Sequence, residues 1–189
     1  MVRMAGGMYG GMLAVGISWG LLRGFWTEWW RFESLRGAAE GLVAGTTLGL
    51  VAILLSWQME RSVAGVKALS ERFSTILAGT STAEALLLAA LSSVGEELLF
   101  RGCLQEEVGV FGATLLFAVV HSGPERIYLW WTASAFVFGL GLAGLYEAQG
   151  GLLAPIAMHF VINAVNIRML GQRGKALVRR RTGTLGELL

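Results

Sequence analysis

At residues 95–101 the chain reads Gly-Glu-Glu-Leu-Leu-Phe-Arg, which places two glutamates and an arginine at the end of an apolar run that begins near Ala85. Ionisable side chains within an apolar span cost about 2.5–3.5 kcal/mol each on insertion scales, and those that occur usually face a protein interior and mark function. If the segment is helical, Glu97 and Arg101 are one turn apart and can pair, whereas Glu96 points about 100° away. The spacing therefore predicts an internal tether between Glu97 and Arg101, and it leaves Glu96 to act on another group.

The 189-residue chain is too apolar for an ordinary soluble domain, because 54% of its residues are hydrophobic, 15% are charged, and its mean hydropathy is +0.61. We interpret it as one polytopic, all-α membrane bundle. The net charge is +2, and the basic residues lie between and after the apolar runs. These positions indicate contact with lipid head groups rather than with a nucleic acid. The single cysteine, Cys103, excludes an internal disulfide, and the absence of aspartate excludes the paired-aspartate intramembrane proteases.

Apolar runs predict about six transmembrane helices, since about 20 apolar residues are needed to cross the hydrocarbon core of a membrane. The predicted spans are residues 4–22, 41–57, 82–107, 108–125, 128–146 and 152–170. The first span follows Arg3, and its alternative interpretation is a signal peptide. Between the spans, residues 23–40 have the composition of an interfacial belt, and residues 59–80 predict an amphipathic surface helix, which we interpret as a linker.

The third helix has a recognisable start, because Ser81 and Glu84 have the spacing of a capping box. Its end has two interpretations. If the helix ends at Arg101, the glutamates lie at the membrane surface and need no explanation. If it continues to about Glu107, then Glu96 lies near its middle and faces the bundle. We favour the longer helix, and we interpret Glu107 and the glutamate before it as a solvated helix end.

The fourth apolar run, residues 108–120, is too short to cross a membrane alone at about 1.5 Å per residue. We therefore expect this helix to continue past His121 to about Glu125, which would place His121 inside a span. In the sixth span, Pro155 either kinks the helix one turn before His159 or lies in the first turn, where its missing N–H is tolerated.

Six spans place both termini on one side of the membrane, and the distribution of charge indicates which side that is. Lys and Arg number 11 on the side of the termini and 4 on the other side, which accounts for all 15. By the positive-inside rule, both termini are predicted to be cytoplasmic. The basic tail from Gly171 is predicted to be mobile near the membrane surface. The 13 Arg against 2 Lys would suit a GC-rich genome, and we expect the membrane of a prokaryotic cell.

Four polar side chains form a set that could hydrolyse a peptide: Glu96, His121, His159 and Asn163. A carboxylate can take a proton from water, imidazoles can orient that water or donate a proton, and an amide can hold an oxyanion. A lone histidine in a span is more often an interhelical hydrogen-bond partner than a catalyst, and so is an asparagine. Here, however, the two histidines and the acidic pair fall on three different helices, each with a partner on the same face. This distribution favours a functional site.

The order of these motifs resembles one family of membrane proteins. The motifs are Glu96-Glu97-x-x-x-Arg101, Phe117-x-x-x-His121 and His159-x-x-x-Asn163. They are similar to those of the CAAX-protease and bacteriocin-processing (CPBP) intramembrane endopeptidases, typified by the Ras-converting enzyme. The resemblance implies an α-helical membrane core that hydrolyses peptide bonds, with Glu96 and His121 activating water. It also implies that His159 and Asn163 stabilise the oxyanion and that three residues support the site: Glu97, Arg101 and Phe117.

The resemblance covers about residues 82–170 and divides the chain into three regions. These are two N-terminal transmembrane helices with their connections (1–81), the catalytic core (82–170) and a basic cytoplasmic tail (171–189). Metal dependence stays open. Glu96, His121 and His159 are a plausible zinc set by ligand type. We nevertheless favour a metal-free, glutamate-dependent site, because the chain has no His-Glu-x-x-His motif and because the resemblance to the Ras-converting enzyme implies such a site.

The favoured prediction is an intramembrane endopeptidase that acts on a membrane-associated peptide. A prenylated CAAX peptide is the best-known substrate of the family that the chain resembles. The alternative is a catalytically silent relative that binds or chaperones another membrane protein, or that serves bacteriocin self-immunity. A proton-coupled transporter is a more remote alternative, because six spans without evident repeat symmetry are atypical of transporters. No Gly-x-Ser-x-Gly motif is present that would indicate a serine hydrolase.

Overall fold

The computed structural model describes residues 2–31 and 34–186, and over these residues it confirms the all-α prediction, because they form no β-strand. The helices are α1 (Val2–Arg23), α2 (Leu35–Ser62), α3 (Ala64–Ile76), α4 (Thr82–Leu99), α5 (Gln105–Val120), α6 (Leu129–Gln149) and α7 (Leu153–Gly186). A π-helical turn, Phe100–Leu104, joins α4 to α5 without a break. The third predicted helix therefore does continue beyond Arg101, as favoured from the sequence.

Five stretches of the described residues are long and apolar enough to cross a membrane. They are Met4–Arg23, Leu35–Ser62, Thr82–Val120, Arg126–Gln149 and Leu153–Arg180. Four of them correspond to single predicted spans, and Thr82–Val120 contains the third and fourth predicted spans together. The chain is thus an integral membrane protein, with a helical hairpin in the place where two separate spans were expected.

The hairpin turns at Gly109. The stretch Thr82–Val120 has 39 residues, which would be about 58 Å if it were one straight helix, far longer than a membrane requires. Gly109 interrupts it with φ 75° and ψ 171°, a backbone conformation that is essentially restricted to glycine. The chain reverses there, because side chains on either side of Gly109 meet: Oε2 of Glu96 lies 3.5 Å from Nε2 of His121.

The predicted extension of the fourth helix to Glu125 is wrong. Helix α5 ends at Val120, and His121 takes the C-cap position with φ −90° and ψ 30° instead of lying inside a span. The residue before a proline is disfavoured in the helical region, and Pro124 follows shortly after. The return arm from Gly109 therefore does not cross the membrane as a helix, and it brings His121 only as far as the depth of Glu96.

Close backbone contacts hold the hairpin and α7 in place. Leu98 lies directly against Gly16 of α1, and the Cys103 thiol donates a hydrogen bond to the Gly16 carbonyl at 3.3 Å. Helix α2 approaches α7 equally closely, since a Cβ at Gly49 would lie 3.0 Å from the Met158 carbonyl oxygen. Small residues permit such approaches between helices in a membrane. As a result, α1 fixes α4, and α2 fixes the depth of α7.

The predicted interfacial belt is partly buried. Trp26 is 53% exposed, as expected for a belt residue, but Trp29 is only 6% exposed. The Trp29 indole donates a hydrogen bond to the Gly102 carbonyl at 2.8 Å, and its own carbonyl accepts one from the Leu152 amide at 2.9 Å. Because an indole N–H needs an acceptor when it is buried, this side chain ties the π turn to the start of α7. Residues 32–33 of the belt lie outside the described residues.

Helix α3 is amphipathic and lies on one end of the bundle, as predicted. Its Leu69 is buried, whereas its Arg72 is exposed and pairs with Glu125 at 3.0 Å. The Phe73 ring packs edge-on against Trp131, with 5.2 Å between ring centroids. These contacts place the segment after α5 beside α3. The chain therefore returns, through the hairpin and the loop that follows it, to the end of the bundle where α3 lies. More than a linker, α3 also lines a cavity of about 310 Å³.

The chain after Gly171 is helical, and its mobility near the membrane surface stays a prediction. Helix α7 continues to Gly186, and residues 187–189 lie outside the described residues. The continuation packs on α3, because Gly171 and Gly174 let the two backbones approach each other. At the other end, Pro155 lies in the first turn of α7, which resolves its two interpretations in favour of the tolerated position.

Candidate active site

Arg101 is held in the interior by the carboxylate that the sequence predicts for it. Nη1 of Arg101 lies 3.1 Å from Oε1 of Glu97, and neither side chain is more than 1% exposed. The guanidinium also donates a hydrogen bond to the Gly139 carbonyl at 3.2 Å and lies over the Phe117 ring, 4.3 Å from its centroid. A buried arginine needs such partners, because an unpaired buried charge is strongly destabilising. The tether therefore also joins the hairpin to α6.

Glu97 has a second partner that the sequence does not reveal. Its Oε1 atom lies 2.6 Å from Nδ1 of His159, so that one carboxylate oxygen serves both the arginine and the imidazole. A carboxylate accepts hydrogen bonds, and Nδ1 therefore carries the proton of this contact. The other ring nitrogen, Nε2, faces Glu96 and lies 3.8 Å from its Oε2 atom.

His121 is oriented in the same way by a different acceptor. Its Nδ1 atom lies 2.7 Å from the Phe117 carbonyl oxygen, which can only accept, and its Nε2 atom lies 3.5 Å from Oε2 of Glu96. The ring packs between Phe117, at 4.3 Å between centroids, and Trp131, at 5.1 Å. The position of Trp131 beside His121 could not be predicted, because it depends on how the loop after α5 returns.

Two imidazole nitrogens thus converge on one carboxylate oxygen. The distances of 3.5 and 3.8 Å are longer than direct hydrogen bonds. Oε2 of Glu96 is buried and has no hydrogen-bond partner among the residues that the structure describes. The Nδ1 atoms of both rings are already paired. The Glu96 carboxylate and the two Nε2 atoms can therefore still form hydrogen bonds to a further polar group. The structure therefore brings Glu96, His121 and His159 together.

Asn163 lies one turn beyond His159 on the wall of the same site. Its Nδ2 atom donates a hydrogen bond to the Ser92 hydroxyl at 2.8 Å, and Ser92 in turn donates to the Ala89 carbonyl at 3.2 Å. An amide nitrogen has two N–H groups, so one of them stays available for another acceptor. Ser92 was missed from the sequence, although its position four residues before Glu96 places both on one face of α4.

A cavity of about 310 Å³ extends from these side chains toward the α3 side of the bundle. His121, His159 and Asn163 are on its wall, and most of the remaining lining is apolar or aromatic and comes from α2, α3, α6 and α7. At its far end lie Glu60 and Ser70, which both contact Arg173 of α7. An apolar cavity with a few convergent polar groups is the usual form of a binding site.

The described residues do not provide a metal centre. Among them, no group of three or more His, Cys, Asp or Glu side chains is arranged to hold a metal ion. Glu96, His121 and His159 remain plausible zinc ligands by type alone. Whether the protein depends on a metal is a question for experiment.

The second acidic pair is more than a solvated helix end. Glu107 pairs with Arg23 at 2.9 Å and accepts a hydrogen bond from the Trp19 indole at 3.3 Å. Glu106 accepts one from the Tyr146 hydroxyl at 2.7 Å. Both glutamates are exposed, and neither lines the cavity. They anchor α1 and α6 to the turn of the hairpin.

The fold and the site together define an integral membrane protein with a buried glutamate–histidine centre. Residues 78–165 match the family described as "Type II CAAX prenyl endopeptidase Rce1-like". The matched segment contains all seven site residues that the sequence motifs single out. Residues 78–165 are therefore similar to this family, as the resemblance of the motifs implies, and the family is one of proteases.

A bacterial protein is similar over part of the same chain. It is described as "Uncharacterized protein YpbD", from Bacillus subtilis (strain 168), and it is 37% identical over 83 residues. The similar region covers 42% of this chain and 42% of YpbD, so the chain matches less than half the length of that relative. No solved structure matches the chain.

Proposed function

We propose that the protein is an intramembrane endopeptidase that hydrolyses a peptide bond of a membrane-associated substrate with water activated by Glu96. The observation that carries this proposal is the convergence at Oε2 of Glu96, which faces Nε2 of His121 at 3.5 Å and Nε2 of His159 at 3.8 Å. The match of residues 78–165 to a prenyl endopeptidase family supports it. A silent binding protein would gain nothing from burying such a carboxylate, which is costly in a membrane.

In the proposed reaction, a water molecule donates one proton toward Glu96 and the other toward Nε2 of His121, which directs an oxygen lone pair at the substrate carbonyl. As the water oxygen bonds to the carbonyl carbon, Glu96 takes up the first proton. The tetrahedral intermediate then expels the amine, and Glu96 returns that proton to the nitrogen as the C–N bond breaks. Glu96 thus acts first as general base and then as general acid.

Two side chains of α7 would stabilise the negative charge of the tetrahedral intermediate. Asn163 has one N–H group that is not used by Ser92, and it can donate to the oxyanion. His159 can donate from Nε2 when both ring nitrogens are protonated, with Glu97 as the counter-charge at Nδ1. This assignment gives Glu97 and Arg101 a supporting role, because they fix the orientation of the His159 ring.

The cavity fits a substrate with an apolar part. Its lining is mostly apolar, and His121, His159 and Asn163 lie at the proposed catalytic end. We propose a lipidated peptide as the substrate, with a prenylated CAAX peptide as the first to test. We further propose that the α3 side is cytoplasmic, because the topology predicted from the sequence places 11 of the 15 Lys and Arg residues on that side.

The test is cleavage of a quenched fluorescent farnesylated peptide by the purified protein in detergent. Glu96→Gln is expected to lower kcat by about 10³-fold, since general acid–base groups contribute about 10²–10⁴. Glu107→Gln, which removes a carboxylate outside the cavity, is the matched control and is expected to keep the wild-type rate. Equal rates for Glu96→Gln and wild type would contradict the proposal.

The experiment has two further arms, one for metal dependence and one for recognition of the lipid. A strong chelator, with zinc added back, determines metal dependence: loss of activity with the chelator and recovery with zinc would show that zinc is required, with Glu96, His121 and His159 as the candidate ligands. An unlipidated peptide of the same sequence determines whether the apolar group is recognised. If the wild type cleaves none of a panel of lipidated and leader peptides, the silent binding protein becomes the better proposal.

A further inference from the structure

A second cavity, of about 510 Å³, adjoins the apolar cavity of about 310 Å³, and we call it the basic pocket. Helices α2, α3 and α7 form its wall, and its lining among the described residues is Trp57, Glu60, Arg61, Lys67, Met169 and Arg173. Three of these residues, Trp57, Glu60 and Met169, line the apolar cavity as well. All of them lie outside residues 78–165, so the match to the protease family assigns no role to them.

Helical spacing gathers the basic side chains around this pocket. Trp57 and Arg61 are one turn apart on α2, and Met169 and Arg173 are one turn apart on α7. Lys67 lies in the first turn of α3, which begins two residues after the end of α2. The fold therefore brings three cations from three helices to one cavity.

Two of the three cations have no counter-ion. Arg173 forms an ion pair with Glu60 and donates a hydrogen bond to the Ser70 hydroxyl at 2.9 Å. Arg61 and Lys67 are exposed, and neither side chain has a hydrogen bond or an ion pair with any residue in the described part of the chain. Because Glu60 supplies a single negative charge against three positive ones, the basic pocket carries a net positive charge.

The Trp57 indole adds a donor without an acceptor. Its Nε1 atom is buried and has no hydrogen-bond partner within residues 2–31 and 34–186. A buried indole N–H normally has an acceptor. Since Trp57 lines both cavities, an acceptor for it would lie where the basic pocket meets the apolar cavity. These features together fit a ligand that has an anionic, oxygen-bearing group and an apolar part.

We propose that the basic pocket binds the phosphate of an anionic phospholipid, and that one acyl chain of this lipid enters the apolar cavity beside Trp57. Arg61 and Lys67 supply the positive charge, and the Trp57 indole donates to a phosphate oxygen. Arg61 is the second-last residue of α2, a helix long and apolar enough to span the membrane, so the pocket lies at the depth of lipid head groups. Basic pockets between transmembrane helices bind such head groups. The site does not depend on catalysis at Glu96.

The test measures binding of phosphatidylglycerol to the purified protein in detergent by native mass spectrometry. The double variant Arg61→Gln/Lys67→Gln is expected to raise Kd about 30-fold, because each cation near an anionic lipid contributes about a factor of five. The matched control is Arg126→Gln/Lys175→Gln, which removes two exposed cations from the same end of the bundle that do not line the basic pocket. Its Kd is expected to equal that of wild type. An equal rise in Kd for both double variants would overturn the site, because the attraction would then be diffuse.

A further variant tests the unpaired donor. Trp57→Phe keeps an aromatic ring and removes the N–H group, and it is expected to raise the Kd for phosphatidylglycerol about tenfold, since a hydrogen bond to a charged group is lost. A wild-type Kd for this variant would overturn the assigned hydrogen bond.

Two other probes identify the ligand. Phosphatidylcholine with the same acyl chains has no net charge and is expected to bind more weakly than phosphatidylglycerol, whereas equal affinity would overturn the role of the cations. Inorganic phosphate has no apolar part and is expected not to displace phosphatidylglycerol at equal concentration. Displacement by inorganic phosphate would overturn the lipid and assign a site for free phosphate instead.

Discussion

Two pairs of adjacent glutamates lie on one helical stretch, at residues 96–97 and 106–107, and the structure gives them opposite surroundings. The first pair is buried among two imidazoles and a guanidinium. The second pair is exposed and contacts the Arg23 guanidinium and the Tyr146 hydroxyl. Depth in the bundle, and not the dipeptide itself, therefore decides whether a carboxylate is available for chemistry. The second pair directly precedes the reversal at Gly109, at the end of the helical stretch, whereas the first pair lies deeper in the bundle.

The largest difference between the pairs is expected in stability. Glu97→Gln leaves the buried Arg101 without a counter-charge, and we expect it to lower the free energy of unfolding by about 3–5 kcal/mol, measured by denaturant titration in detergent. Adding Arg101→Gln removes the uncompensated charge, so the double variant is expected to be more stable than the single one. If Glu97→Gln unfolds like wild type, then Gly139 and Phe117 alone satisfy the guanidinium.

A smaller effect is expected at the turn of the hairpin, which directly follows the second pair. Gly109→Ala forces a side chain into a backbone conformation with φ 75°, and we expect a loss of about 1–3 kcal/mol in the free energy of unfolding. Gly144→Ala is the matched control, because it lies in regular helix with nothing within 4 Å of its new Cβ. That control is expected to be neutral or stabilising. Equal stability of the two variants would argue against a hairpin.

The smallest effect is expected for the exposed pair. Glu107→Gln breaks its ion pair with Arg23, whose side chain is 56% exposed. We expect a loss of less than about 1 kcal/mol in unfolding free energy, and we expect it to shrink as salt is added. The measurement is the same denaturant titration at low and high ionic strength. A loss as large as that of Glu97→Gln would remove the contrast between the pairs.

The sequence predicts those parts of the site that depend on positions within one helix. The pairing of Glu97 with Arg101 follows from a spacing of one turn, and the capping box of Ser81 and Glu84 appears with both of its hydrogen bonds, at 3.2 and 2.8 Å. Local spacing is sufficient for such contacts, because helical geometry fixes them. The end of a segment is harder to predict, as at His121, because the arm that ends there does not cross the membrane and the length of a span does not set its end.

Contacts between distant segments could not be predicted from the sequence. The hydrogen bond between Glu97 and His159 depends on the depth of α7, which the close approach at Gly49 of α2 sets. The burial of Trp29 depends likewise on an acceptor in the π turn. A residue pattern shows which face of a helix is apolar, but it does not show which neighbour that face meets.

The one thiol of the chain has a consequence for experiments on α1. Cys103 is fully buried, and it bonds to the carbonyl of Gly16 across the contact between α1 and the π turn. A water-soluble alkylating reagent can reach it only when that contact opens. The rate of alkylation in the unmodified protein therefore reports how often α1 leaves the rest of the bundle, without the introduction of a label.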